Sequence, residues 1–296
     1  MSPPLKLHRV RLLAAFATIY IVWGSSYLVT RIGVMHLPAL LLGGLRYSCA
    51  GALLLLIARL TRRRVRPQPG EWRGLAVLAF FGILLTNGIS VWAAQYVASN
   101  KSALLNATVP CWIVLLGTFG ARSHRPEWRQ LLGLACGFAG TVLVVQPSGG
   151  PHSDLLPQLL ILVACLNWAV STTYMRNLHS RLPVLTLIGW QMLLGGAAMT
   201  LVGILHGDVA RWHWSLIGVF SLVFLILFGS CLAFTAYAYL ARRTSPTRLG
   251  TYGYVNPAIA AVLGWLVLDE RLSGLQLLGM GITLGGVLLI NWPRRS

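Results

Sequence analysis

Arg46 lies in the run "GGLRYSCAGALLLL", nine residues into an apolar stretch, and its guanidinium cannot shed its proton there. At the centre of a membrane helix an arginine costs about 2.5–3.5 kcal/mol on insertion scales. It must therefore face a partner or water. Two readings follow. The group bonds carbonyls or a tyrosine of a neighbouring helix, or it faces a cavity and grips a substrate carboxylate in bidentate fashion. Gln191 stands 145 residues further on, at the matching place in a second apolar stretch.

A second set of polar residues also occurs twice. "YIVWGSSYLVTR" at 20–31 and "CLNWAVSTTYMR" at 165–176 share a Trp, a Ser three residues on and an Arg eight residues on. Trp23 and Trp168 sit in mid-stretch, away from the ends where Trp72, Trp128, Trp212, Trp214 and Trp292 form interfacial belts. An indole N–H at that depth needs an acceptor, so each Trp either packs between helices or walls a cavity. Ser25, Ser26, Ser171, Thr172 and Thr173 either line the same space or bond carbonyls one turn back. Pro110 and Pro257 are also paired. Each removes a helix hydrogen bond and frees a carbonyl, which makes them candidate kinks or gates. Asn106, Tyr252, Tyr254 and Asn256 flank them, and Tyr96 adds a further hydroxyl.

The missing groups narrow the chemistry. Glu71, Glu127, Asp154, Asp208, Asp269 and Glu270, and all seven histidines, fall at stretch ends or in loops. A proton relay in mid-membrane is therefore not visible, and a permanent cation is a poor substrate for a chain with only an arginine at that depth. Asp269 or Glu270 at the rim remains for any coupling. There is no nucleotide-binding loop, zinc spacing, Ser-His-Asp set or carboxylate pair. No catalytic residue, metal or cofactor is expected. An intramembrane enzyme is the alternative of another class, and it would need acid–base groups converging at one depth.

The elements that position these residues follow from composition. The chain has 296 residues, 56% hydrophobic and 10% charged, with mean hydropathy +0.71. A soluble domain carries about a quarter charged residues. Ten apolar runs reach spanning length: 10–33, 37–60, 71–97, 101–120, 127–147, 156–177, 183–206, 214–241, 246–268 and 273–292. They are continuous, not alternating as in a barrel. The first is read as a retained helix despite the basic residues before it. With the N-terminus inside, 19 of the 24 Lys and Arg residues fall on the cytoplasmic side, Arg31, Lys101, Arg211 and Arg271 fall outside, and Arg46 lies within a span. This placement obeys the positive-inside rule. It puts both termini in the cytoplasm and assigns the net charge of +18 to the membrane surface, with no nucleic-acid partner. Cys49, Cys111, Cys136, Cys165 and Cys231 all lie in spans and read as packing residues.

The doubled phrase extends along the chain. Leu37–Pro38 recurs at Leu182–Pro183, and Gly51 at Gly196. Gly88 and Tyr96 match Gly229 and Tyr237, and Pro110 and Gly117 match Pro257 and Gly264. "LLG" at 131–133, Gly140 and Pro147 match "LLG" at 277–279, Gly286 and Pro293. Collinear matches across five helices indicate duplication. An odd number of helices per half inverts the second half, the arrangement that lets transporters exchange inward-open and outward-open states around a midplane site. The expected fold is an all-α membrane protein of ten transmembrane helices, built as two inverted five-helix repeats at 1–150 and 151–296. Small-xxx-small faces in "GLACGFAG" and "GMGITLGG" allow close packing within a monomer, with a homodimer as the alternative.

These residues resemble the drug/metabolite transporter superfamily, specifically its ten-helix EamA-type exporters. The carriers of the likeness are "IVWGSSYLVTRIG", "GGLRYSCAGALLLL", "NATVPCWIVLLG", "LNWAVSTTYMR", "GSCLAFTAYAYLARRTSP", "TYGYVNPAIAAVLGWLVLDERLS" and "LLGMGITLGGVLL". The resemblance implies a bacterial inner-membrane protein exporting small metabolites, amino acids or toxic organic compounds. Joined to the residue reading, it gives an exporter or facilitator working by alternating access on small metabolites, especially hydrophobic or aromatic amino acids. Trp23, Ser26, Arg46, Trp168, Ser171, Gln191, Tyr96, Tyr254 and Asn256 would bind the substrate, with Pro110 and Pro257 as kinks. A drug exporter driven by proton antiport is the alternative.

Overall fold

The structure, a computed structural model, describes residues 3–117, 127–145, 155–178, 180–241, 243–244 and 249–290. Trp292, Pro147, Pro293, Asp154, His124, His152, His179, the boundary at 150/151 and six of the basic residues counted on the cytoplasmic side (Arg122, Arg125, Arg242, Arg248, Arg294 and Arg295) lie outside the described residues.

Among the described residues the secondary structure is helical, joined by short loops, with no strand. Helix α1 spans Pro3–His36 and α2 Ala39–Leu60. A further rod, Pro69–Ala93, comprises a 3-10 turn Pro69–Glu71, α3 Trp72–Leu78, a π-helical stretch Ala79–Leu85 and α4 Thr86–Ala93. Helices α5 Ser99–Asn106 and α6 Val109–Gly117 follow, then α7 Trp128–Val144, α8 Leu155–Asn177 and α9 Val184–Leu205. Helix α10 Leu216–Phe224, a second π-helical stretch Leu225–Leu232 and α11 Ala233–Ala241 form another rod. Helices α12 Tyr252–Leu268 and α13 Gly274–Ile290 close the described chain. Six of the described helical rods are long and apolar enough to cross a membrane, and three shorter ones, α7, α12 and α13, are apolar too.

Local chemistry sets the breaks. Pro38 and Pro183 stand at the N-caps of α2 and α9, where a missing N–H costs nothing. Gly207, at φ 82°, takes the left-handed turn that ends α9. Ser215 accepts from Gly218 N at the start of α10. Pro110 was expected in mid-span. It lies instead in the first turn of α6, after a break at Ala107–Thr108 that splits 101–120 into two short helices. A proline is well tolerated there because first-turn N–H groups have no helical partner.

The outer surface is apolar. Leu205 is 79% exposed, Phe220 71% and Val142 70%. That exposure would be prohibitive in water and is ordinary against lipid tails. Lipid tails also remove the hydrophobic drive between helices, so close packing of small residues holds them together. Two seams do this. In α2–α9, a Cβ on Gly51 would lie 2.5 Å from Leu193 N, and Gly196 meets the backbone of Tyr47 and Ser48 as tightly. Gly44 abuts Thr200, and Gly189 abuts Leu55. Shifting each pair by 145 residues turns it into another pair of the set. In α7–α13, Gly133 abuts Gly286 and Gly140 abuts Gly279 and Thr283, while Gly286 meets Gly133 and Gly137. A shift of 146 carries these contacts onto one another in the same way.

The contacts correct one of the sequence matches. Gly229 faces Ser26 and Arg46, and Gly82 faces Ser171 and Gln191. Gly82, not Gly88, therefore corresponds to Gly229. This register also superposes the two π-helical stretches. Gly88 packs on Met199, and Tyr96, exposed and tilted onto Trp92 at 5.0 Å, has no likeness to the buried Tyr237. The earlier match rested on two common residue types eight apart, too little to fix a register.

Candidate substrate-binding cavity

A central cavity holds about 970 Å³ of empty space, its mouth included. Its walls come from α1, α2, α4, α5, α6, α8, α11 and α12. The lining residues of α1 lie in its C-terminal half and those of α2 in its N-terminal half. The chamber therefore extends toward the face at which α1 ends. At that mouth Arg31 Nη1 donates to Ala94 O at 2.6 Å.

Aromatic rings form the other end. Trp23 packs edge-on to Trp168, Phe234 and Tyr252, with centroids at 6.4, 5.3 and 5.6 Å, and tilts onto Tyr237 at 5.2 Å. Below this layer Tyr20 Oη and Thr251 Oγ1 share a 2.5 Å hydrogen bond. The Trp23 indole N–H donates to Gly229 O at 3.2 Å. Gly229 lies in the second π-helical stretch, where the wider turn brings a carbonyl within reach of the indole. The first π stretch has an equivalent arrangement. Asn87 Nδ2 donates to Gly82 O at 2.7 Å and Thr86 Oγ1 to Phe81 O at 2.6 Å.

Arg46 is buried and lines the cavity. Its Nε donates to Ser230 Oγ at 2.9 Å, and its guanidinium carbon lies 4.7 Å from the Tyr47 ring centroid. Tyr47 in turn donates to Asn87 Oδ1 at 2.5 Å. These contacts fix the fork's direction and leave its terminal nitrogens without a hydrogen bond among the described residues. The partner is a serine hydroxyl from a π-helical stretch. The sequence reading had offered a neighbouring carbonyl or tyrosine.

Of the residues singled out from sequence, Trp23, Ser26, Arg46, Trp168 and Asn256 line this cavity. Asn106 and Tyr252 join them, whereas Tyr254 and Tyr96 do not. Ser26 lines it while donating to Val22 O at 2.6 Å, and Ser25 bonds Ile21 O. Ser171 and Gln191 are buried outside the cavity, beside Gly82. Pro110 and Pro257 lie outside the lining too, and the Pro110 ring packs toward Gly253, whose carbonyl Pro257 frees. Glu270, offered for coupling, is held at the start of α5. Ser99 N, Ser99 Oγ and Asn100 N donate to its carboxylate at 2.9, 2.6 and 3.1 Å. It caps that helix and joins it to the end of α12. Sequence reasoning missed Tyr27, Thr30, Asn87, Ser90, Ser99 and Ser102, which also line the chamber. Their spacing along α1, α4 and α5, at three and four residues, was the available signal.

Apolar walls with a few converging polar groups inside a lipid-facing helical shell define a multi-pass membrane protein of transporter type. Residues 11–146 and 155–292 each match the EamA-like transporter family, and the chain belongs to that family. It is 34% identical over 286 residues to "Uncharacterized inner membrane transporter YedA" of Escherichia coli K12, covering 95% of this chain and 90% of that one. It is 21% identical to "Uncharacterized transporter YoaV" of Bacillus subtilis 168, covering 95% and 94%. A solved structure known only as "Crystal structure of protein" shares the fold, with TM-score 0.69 at 22% identity over 95% of this chain and 96% of that one.

Proposed function

We propose that the protein is a bacterial inner-membrane transporter that moves small carboxylate-bearing metabolites, foremost hydrophobic or aromatic amino acids, outward by alternating access. Ten spans, arranged as two inverted repeats of five, carry the mechanism, and both termini lie in the cytoplasm. The single observation that carries the substrate class is the Arg46 fork, aimed into a cavity floored by Trp23, Trp168 and Phe234. Among the described residues Arg46 and Arg31 are the cavity's charged lining residues, and no carboxylate or histidine lines it. Such a chamber attracts carboxylates and repels free cations. The aromatic layer suits an apolar side chain.

The reciprocal glycine contacts of α2–α9 and α7–α13, and the two separate family matches, support the inverted repeat. On that reading the structure is outward-open. The chamber reaches toward the face where α1 ends, and the aromatic layer seals the cytoplasmic side. Exchange of the two halves' conformations would close the chamber around Arg46 and open one around Gln191 and Ser171. The test is flux from liposomes containing purified protein. Labelled phenylalanine should leave faster than from protein-free liposomes, and a broad metabolite panel with no flux above that background would contradict the reading.

A further inference from the structure

A second hollow opens sideways onto the lipid. It holds about 760 Å³ of empty space, its open side included. Leu40 of α2, Leu84, Gly88 and Trp92 of the rod Pro69–Ala93, Leu160 of α8 and Val202 of α9 line it, and among the described residues its whole lining is apolar. The rim is continuous with the lipid-facing surface, since Val202 is exposed, as is Leu156 one turn before Leu160. An apolar hollow stays dry, and walls that face a gap lose their dispersion contacts. A lipid tail has the chemistry to fill the space and lies at its mouth.

Length and depth fit that occupant. From Leu84 to Trp92 the wall runs about 12 Å at about 1.5 Å per residue. One leaflet's hydrocarbon is about 15 Å deep, half of the core. Gly203 abuts Leu40, and Arg31 of α1 bonds Ala94 O, two residues past Trp92. The hollow therefore lies in the leaflet at the face where α1 ends.

A cation stands above it. His206 follows Val202 by four residues and so lies on the same side of α9. Arg211 Nη2 is 2.9 Å from His206 Nδ1 and also donates to Asp208. The 3-10 turn Asp208–Arg211 packs on α9 and α2, two walls of the hollow. The Asp208 side chain is buried beneath, whereas that of Arg211 is 58% exposed. Both contacts of Arg211 use Nη2, which leaves Nη1 and Nε for a phosphate oxygen. Trp212 and Trp214, with centroids 5.4 Å apart, mark the headgroup level next to it.

We propose that this hollow binds one acyl chain of a glycerophospholipid whose phosphate rests on Arg211. The rod between the hollow and the central chamber is one helix thick. Thr86, Asn87 and Ser90 line the chamber, and Gly88 and Trp92 line the hollow. The bound chain therefore backs the chamber wall.

The experiment is photolabelling in bilayers of phosphatidylethanolamine and phosphatidylglycerol. A trace of phosphatidylglycerol carries a diazirine midway along one acyl chain. Adducts are counted on residues 84–92 and 199–202, and on Leu216–Phe224, where Phe220 faces open lipid. The quantity read is the ratio of the first count to the second. Wild type should give a ratio well above one, because a held chain meets its walls longer than passing lipid meets an open face. Gly88→Leu fills the hollow and should bring the ratio near one. A Cβ at Gly88 meets only Met199 Cε, at 3.5 Å, so the new side chain has room to start. Val202→Phe plugs the exposed rim and should act the same way, which keeps the test open if the first variant does not fold. Arg211→Gln should lower the ratio by a few fold. A wild-type ratio near one would overturn the proposal, as would a high ratio unchanged in the folded groove variants. An unchanged ratio in Arg211→Gln would overturn the phosphate contact. Unlabelled walls in a protein that light scattering shows to be dimeric would assign the hollow to a second copy of the chain and overturn the lipid.

Discussion

The surroundings of Arg46 and of Gln191 are built from corresponding residues and differ in tightness. At Gly229 a Cβ would lie 3.1 Å from both Ser26 Oγ and Arg46 Nη2. At Gly82 it would lie 2.5 Å from Ser171 Oγ and 2.8 Å from Gln191 Nε2. One pocket borders an open chamber, and the other is shut. The loops show a related contrast. Glu71 receives both oxygens' hydrogen bonds from Arg64 at 2.7 Å, and Ser180 Oγ adds a longer one at 3.4 Å. Thr186 Oγ1 donates to Arg64 O and Trp190 Nε1 to Val65 O, both at 2.8 Å, so this knot joins the two halves of the sequence. Asp208, at the other face, pairs with His206 and Arg211 of its own loop. The face with the cross-tied knot is the face sealed by the aromatic layer. Like sequences in unlike packing locate where a conformational exchange would act.

The sharpest way to break this contrast is Gln191→Arg. It places a guanidinium in the closed pocket with no waiting partner and should cost about 3 kcal/mol, read as a large fall in the melting temperature of purified protein. An unaltered melting temperature would mean that the pocket is not closed. Arg46→Gln makes the open pocket resemble its mate. Transport of carboxylate substrates should drop about tenfold or more, the worth of a charged hydrogen bond, with amide analogues less affected. Equal loss for both would return Arg46 to a purely structural role.

Gly82→Ala and Gly229→Ala sharpen the comparison. The first overpacks a filled site and should destabilise by about 1–2 kcal/mol. The second should be milder, since 3.1 Å leaves the neighbours little to yield. Equal melting shifts would dissolve the asymmetry. The smallest effect is expected from Glu71→Gln, which weakens the knot by about 1 kcal/mol. It should raise labelling of a cysteine placed at Arg176 by a few fold, and labelling equal to that of the same cysteine without Glu71→Gln would show that the knot holds nothing shut.

Much of this was legible in sequence. Apolar runs of spanning length gave the helices, because lipid forces every backbone group into a helix. Arg46 and the paired Trp23 and Trp168 stood out because their cost at mid-depth needs a reason. The π-helical stretches at Ala79–Leu85 and Leu225–Leu232 did not stand out, since no composition marks an i→i+5 turn, and the register slip at Gly88 followed. Ser171 and Gln191 matched their mates by type, yet lie outside the chamber. Sequence symmetry cannot say which of two matched pockets borders a cavity. Glu270 was read as a rim acid because nothing near it in sequence reveals that it caps a helix 170 residues away.

The most direct test of alternating access is a pair of spin-label distances measured on one preparation. One label pair joins Met35 and Tyr96 at the face where α1 ends, and the other joins Leu13 and Asn177 at the opposite face. As substrate and conditions shift the population, the first distance should shorten whenever the second lengthens. Two distances that change together, or that stay fixed through transport, would contradict the exchange of halves on which the account depends.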